Sequence, residues 1–170
     1  MADGRVRLDA MSDAEYDRFL AESIPAYAES NVAAGRWSAE GAEAQARAEF
    51  ARLLPEGRAT SGHALLTIRA LPDGEAVGRI WLWLVPGSPP GGFVYDLAID
   101  PAHRRRGYAE AALRLAEERL RSDGANRIGL HVFANNPGAI RLYEKIGYAV
   151  VSQLMSKPIP PAPSGASPSG

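Results

Sequence analysis

Between His103 and Ala109 the chain runs four basic residues, a glycine, an aromatic and an alanine together: His103-Arg104-Arg105-Arg106-Gly107-Tyr108-Ala109. Apolar residues then recur at helical spacing (Ala109, Ala112, Leu113, Ala116, Leu120), which predicts a helix from Gly107 to Ser122. The basic run therefore lies at a helix N-terminus. Unpaired backbone N–H groups and the positive end of the helix dipole make such a place favourable for an anion. Gly107 lets the backbone approach a bulky diphosphate, Ala109 keeps the first turn slim, and arginine can add forked, charge-assisted bonds to further phosphate oxygens. No Gly-Lys-Ser/Thr follows, so this is not a P-loop, and the Gly-x-Gly-x-x-Gly of dinucleotide folds is missing. By itself the stretch fits a solvated basic loop ahead of a helix equally well.

The flanking elements must position this turn. Val6 and Leu8 mark a short first strand. Ser12 followed by Glu15 is a capping-box spacing that opens a helix through about Leu20. Pro25 is expected to interrupt it, with a second helical stretch over residues 26–33. Ser38 is expected to cap a third helix carrying Ala42, Ala46, Phe50 and Leu53 on one face. Residues 63–70 and 77–85 read as a hairpin around Pro72-Asp73-Gly74, and 93–99 as a buried strand leading into the basic turn. Residues 128–133 give another strand. Asn136 and Pro137 are suited to the cap and first position of a helix that Gly147 ends, and 148–155 reads as a last strand. The order β-ααα-ββ-β-α-β-α-β predicts an α/β (α+β) fold, a mixed and mostly antiparallel sheet flanked by helices.

Composition narrows the function classes. A chain of 170 residues suits one domain, and 46% hydrophobic with 23% charged residues suits a packed core rather than disorder. With no cysteine the chain has no disulfide, no thiolate metal site and no cysteine nucleophile. The first residues lack a signal-peptide core, and no apolar run reaches the ~18 residues of a membrane span, so a cytoplasmic protein off the membrane is expected. A net charge of −1 supplies no field for nucleic acid. Only Lys145 and Lys157 are lysines, the other basic side chains being arginine, a bias that genome composition also produces. The Pro/Ser/Gly stretch 158–170 cannot bury a core and is expected to be a disordered tail after a domain over 1–157.

Three motifs at their mutual spacing carry a resemblance. Leu97-Ala98-Ile99-Asp100-Pro101, the basic turn, and Asn136-Pro137-Gly138-Ala139-Ile140-Arg141-Leu142-Tyr143 together resemble the GNAT superfamily of N-acetyltransferases. The likeness covers roughly residues 93–148 and, in fold order, the chain to Lys157. It implies a GNAT-like domain that uses acetyl-CoA as cosubstrate, with no metal. On that resemblance Arg104, Gly107 and Ala109, with Arg105, Arg106 and Tyr108 beside them, would hold the CoA pyrophosphate. Leu97, Ala98 and Ile99 would pair strand-like with the pantetheine arm, and Asn136 would contact the cofactor. Tyr143 would stand beside the thioester sulfur as general acid; its other reading is a core aromatic on an amphipathic helix.

The general base is less legible. Relatives often carry Glu in a Leu-Glu-Val-like segment where this chain has Leu130-His131-Val132, so His131 is one candidate. Asp96 is another, and a water relay a third; either side chain can equally be structural. The acceptor amine, a small molecule or a protein amine, would enter between the N-terminal helices and the hairpin. Glu22, Tyr27, Glu29, Asn31, Arg36, Trp37, Trp81 and Trp83 are available there. Trp81 and Trp83 share one strand face, as an aromatic wall or as core. A catalytically silent CoA-binding sensor is the alternative to an enzyme, and a homodimer is a further expectation from the resemblance.

Overall fold

A computed structural model describes residues 4–157 and 159. The expected tail 158–170 otherwise lies outside the described residues. Strand β1 (Val6–Ala10) is followed by helices α1 (Asp13–Ala33) and α2 (Ala42–Leu53). Strands β2 (His63–Ala70), β3 (Ala76–Val85) and β4 (Gly91–Ile99) come next, then α3 (Tyr108–Ser122), β5 (Ile128–Leu130) and α4 (Pro137–Lys145). The sheet order is β1-β2-β3-β4-β5, antiparallel throughout except for the parallel β4–β5 pair. This is the mixed, mostly antiparallel sheet that the sequence predicts.

Period-two alternation divides the core between the two faces. Leu66 and Ile68 of β2, with Ile80 and Leu82 of β3, meet Ala112, Leu113 and Ala116 of α3. Leu65 and Trp81 turn the other way, onto Phe19 and Ile24 of α1 and Ala46 and Phe50 of α2. The arrangement is three layers, with α3 on one face and the N-terminal helices on the other. Two glycines mark close approaches. A Cβ on Gly78 would stand 2.3 Å from the Ala98 carbonyl oxygen, and one on Gly92 would stand 2.4 Å from Leu120.

The capping box is present: the Ser12 hydroxyl accepts from the Glu15 N–H at 3.3 Å, and the Ser12 N–H donates back to the Glu15 carboxylate at 2.9 Å. Four other expectations are corrected. Pro25 does not interrupt the first helix, which runs unbroken to Ala33. A buried stripe on both sides of it (Phe19, Ser23 and Ile24 before, Ala28 and Asn31 after) holds the helix together despite the missing hydrogen bond. The next helix starts at Ala42 behind a left-handed Gly41, not at Ser38. The chain is still turning at Ser38, because the Arg36 and Trp37 N–H groups close α1 on the Asn31 carbonyl and Trp37 packs edge-on against Tyr27. Finally, β5 ends at Leu130, and residues 148–155 form no strand. Strand propensity expresses a fit to a half-buried pleated surface, and among the described residues no strand flanks that segment.

Candidate active site

The turn after β4 is built as the basic run suggests. A short 3₁₀ turn (Pro101–His103) delivers the chain to Arg105 and Gly107, which both take left-handed backbone (φ 65° and 82°). Gly107 is the N-cap of α3, and no side chain caps this end. The first-turn N–H groups of α3 are therefore left for an anion. Arg104 folds back, its Nε donating to the Ile99 carbonyl at 3.0 Å. A further guanidinium arrives from the start of the chain: Arg5 Nη1 donates to the Arg106 carbonyl at 3.4 Å and stands 2.6 Å from where a Gly107 Cβ would lie. Nothing in the sequence pairs positions a hundred residues apart; α3 packing across β1 brings them together.

Leu97, Ala98 and Ile99 line the strand leading into that turn. On one side they pair with Ile80, Arg79 and Gly78 of β3. On the other side β5 pairs with β4 only through Gly92, Phe93 and Val94, then leaves the sheet. The outer edge of residues 95–99 consequently faces no strand among the described residues. An open strand edge thus runs directly into an uncapped helix N-terminus.

A register shift in β4 lies just ahead of this edge. Trp81 pairs with Asp96 and Leu82 with Val94, which leaves Tyr95 as the extra residue of a β-bulge. Both bulged side chains reach the α1/α2 face. Tyr95 stacks on Trp81 with ring centroids 4.6 Å apart, while Asp96 Oδ2 accepts from Arg79 Nε at 2.8 Å and from the Ser23 hydroxyl at 3.2 Å. Arg79 also holds Glu22, so α1, β3 and β4 are tied through one guanidinium.

Tyr143 lies on α4, half-buried against the sheet core and tilted against Tyr148 with centroids 5.7 Å apart. Burial, reinforced by the Asp96 carboxylate, raises its hydroxyl above the ordinary tyrosine value, so it stays protonated at neutral pH. Tyr148 is pushed higher still by burial and by Glu117, and its hydroxyl is buried without a partner. Asn136 caps α4, its side-chain oxygen accepting from the Ala139 N–H at 3.1 Å.

His131 is placed differently from the strand residue expected: it follows the end of β5, exposed, with Phe133 edge-on at 5.0 Å. Partial burial, with Arg36 nearby, lowers its pKa below 6.5, which favours the neutral imidazole.

Of the acceptor-side residues, Trp81 is core at 2% exposure and Asn31 is fully buried, its amide donating to the Tyr27 carbonyl. The Tyr27 hydroxyl donates to Glu49 at 3.0 Å. Trp83 is half-buried at the margin, beside a residue that carries no functional signal in the sequence alone. His63, at the start of β2, stacks on Trp83 (8° between planes) and lies against Tyr95. Its Nδ1 accepts the Trp81 indole N–H at 2.9 Å, which assigns the ring proton to Nε2. Burial also lowers its pKa, and the neutral form is the one this hydrogen bond requires. Register pairing of His63 with Trp83 builds the contact, and only the pairing of the strands reveals it.

Comparison with known proteins gives the family. The model of the acetyltransferase (GNAT) family matches residues 25–148. The chain belongs to that family. It is 34% identical to YdgE of Bacillus subtilis over 88% of this chain and 96% of YdgE, and 35% identical to YycN of the same organism over 89% and 97%; both are named uncharacterised N-acetyltransferases. The solved YycN structure superposes with a TM-score of 0.86 at 33% identity, covering 92% of this chain and 99% of that one. The GNAT chain is accordingly an acyl-CoA-dependent N-acetyltransferase. No helix among the described residues is long and apolar enough to cross a membrane.

Proposed function

We propose that this acetyltransferase moves an acetyl group from acetyl-CoA to a primary amine by direct attack, with Tyr143 as general acid. The observation that carries the reading is the unpaired edge of residues 95–99 running into the uncapped N-terminus of α3. Those two features suit the two ends of one cosubstrate: an amide-bearing arm that pairs with a strand, and a diphosphate. The residues present fit it. Leu97, Ala98 and Ile99 offer backbone groups to the arm. Gly107, Tyr108 and Ala109 offer N–H groups to the diphosphate, with Arg104, Arg105 and Arg106 beside them, and Asn136, at the cap of α4, is a further contact.

Acetyl-CoA supplies an activated carbonyl and a thiolate leaving group; the chain's own groups manage protons and position. The acceptor must lose a proton from an ammonium of pKa near ~10 before it can attack. His131, neutral at physiological pH and open to solvent, suits that role directly or through water. Asp96 suits it less, because Oδ2 already accepts from both Arg79 and Ser23. Its place in the reaction is to fix the bulge that aims the β4 edge. The developing oxyanion is met by a backbone N–H at that edge, and the Tyr143 hydroxyl then protonates the departing thiolate. The acceptor enters over Trp83, His63 and Tyr95, with Glu29, Arg36 and Trp37 on the helix side.

Release of free thiol from acetyl-CoA against a panel of small amines and peptides tests the proposal, with Tyr143→Phe as the control. The wild type should turn over at least one acceptor, and Tyr143→Phe should lose about a hundredfold or more in kcat while binding acetyl-CoA unchanged. Binding without thiol release across a broad panel would instead favour a silent CoA sensor.

A further inference from the structure

The strand registers line up one row across the sheet. His63 of β2 pairs with Trp83 of β3, Trp83 with Phe93 of β4, and Phe93 with Gly129 of β5. Directly paired side chains project to one face, and Trp81, two residues before Trp83, fixes it as the face of α1 and α2. The helices bury Trp81, with Phe19 and Phe50 against its ring, whereas His63, Trp83 and Phe93 stay half-buried. The row is thus an aromatic floor that runs out from beneath the helices. His63 and Trp83 cover each other by stacking, and Phe93 meets Tyr95 edge-on at 5.0 Å. Toward β5 the Phe93 ring meets Gly129. A Cβ there would stand 3.6 Å from the ring, an ordinary contact, and the backbone is not left-handed. Neither crowding nor backbone conformation demands a glycine at 129; its consequence is room for a flat group against Phe93. His131 follows two residues on.

Charge around this floor is one-sided. Arg79 holds both Glu22 and Asp96, and the Tyr27 hydroxyl donates to Glu49. Glu29 shares a groove between α1 and α2 with Glu43. Arg36 and Arg52, by contrast, are exposed and have no carboxylate partner among the described residues. Arg36 lies within electrostatic reach of His131, and Arg52 within reach of Tyr95. His63 adds a donor, because its Nδ1 accepts from Trp81 and its proton sits on Nε2. Uncompensated cations beside a flat apolar floor repel a polyamine or a lysine-rich peptide and attract an anion. We infer that the acceptor is a free aromatic α-amino acid, its ring laid against Phe93 beside Gly129 and its carboxylate held by Arg36 and Arg52. The inference rests on the acetyl transfer proposed above and names the substrate class of that site. An α-amino acid carries its amine one carbon from its carboxylate, so a carboxylate on Arg36 brings the amine toward His131. The N–C bond then forms as the thioester C–S bond breaks; one proton leaves the nitrogen and one reaches the thiolate.

Thiol release from acetyl-CoA, measured with acceptors that differ by one group, tests this. Phenylalanine carries ring and carboxylate, phenethylamine the ring alone, alanine the carboxylate alone, and spermidine added positive charge. Phenylalanine should exceed phenethylamine and alanine in kcat/KM by about tenfold or more, the worth of a hydrogen bond to a charged group, and spermidine should be the poorest. Arg36→Ala, at an exposed position, should lower kcat/KM for phenylalanine by about tenfold and affect phenethylamine far less, so that the preference collapses. Gly129→Leu, which fills the space beside Phe93, should raise KM for phenylalanine more than for alanine, with acetyl-CoA affinity by calorimetry retained. Phenethylamine or spermidine turned over as well as phenylalanine, or an Arg36→Ala that lowers phenylalanine and phenethylamine alike, would overturn the inference and leave acetyl transfer standing. Thiol release with no amine of any kind would overturn the transfer reading itself, and this inference with it.

Discussion

At the residue scale the proposed chemistry rests on two side chains shifted in opposite directions. Tyr143 is raised by burial and by Asp96, which keeps a proton available for the thiolate; His131 is lowered by burial and Arg36, which keeps a lone pair available for the amine. Opposed shifts of this kind separate an acid from a base. The sign fixes a pH dependence. A histidine base must be neutral, so activity should fall on the acid side, and the lowered pKa moves that limb below 6.5. The pH profile of kcat/KM tests this, with His131→Ala abolishing the limb. A profile that His131→Ala leaves unchanged would assign the proton to a water relay. Asp96 illustrates how much a single residue tells from sequence. Its position two residues before Ala98 was visible, whereas its engagement with Arg79 and Ser23 depends on a bulge that no local pattern announces.

At the element scale the legible features were those with local causes. Ser12 and Glu15 marked the start of α1, Asn136 and Pro137 the start of α4, and alternation marked the hairpin, because caps and pleats act within a few residues. Tertiary contacts decided the rest: the continuous helix through Pro25, the delayed start of α2 behind Gly41, and the short β5. His63 and Arg5 were missed for the same reason, since each acquires its surroundings from a partner strand or from α3. The capping box gives a direct test. Ser12→Ala should cost about 1 kcal/mol of unfolding free energy, measured by urea denaturation. Glu15 adds a pH signature. Burial raises its pKa, but the Ser12 N–H and hydroxyl and the Arg69 guanidinium outweigh that, so the net shift is downward from 4.5. A depressed carboxyl contributes stability that is complete above its unfolded pKa and is lost as pH falls through the folded one. The Ser12→Ala deficit should therefore shrink below pH 4.5. A deficit independent of pH would contradict this coupling.

At the scale of the whole molecule, the sheet opens between β4 and β5. β4 and β5 separate beyond Val94, the bulge at Tyr95 turns two side chains toward the N-terminal helices, and α3 begins uncapped where β4 leads into the turn. Acetyl-CoA binding at this opening is the central claim, and calorimetric titration of the wild type and of Gly107→Glu tests it most directly. The wild type should bind in the micromolar range, roughly −8 kcal/mol. Gly107→Glu, which sets a carboxylate against the phosphates and strains a left-handed position, should lose detectable binding while remaining folded. Wild-type protein with no measurable affinity for acetyl-CoA would contradict the account, and unchanged affinity in Gly107→Glu would move the phosphates away from α3.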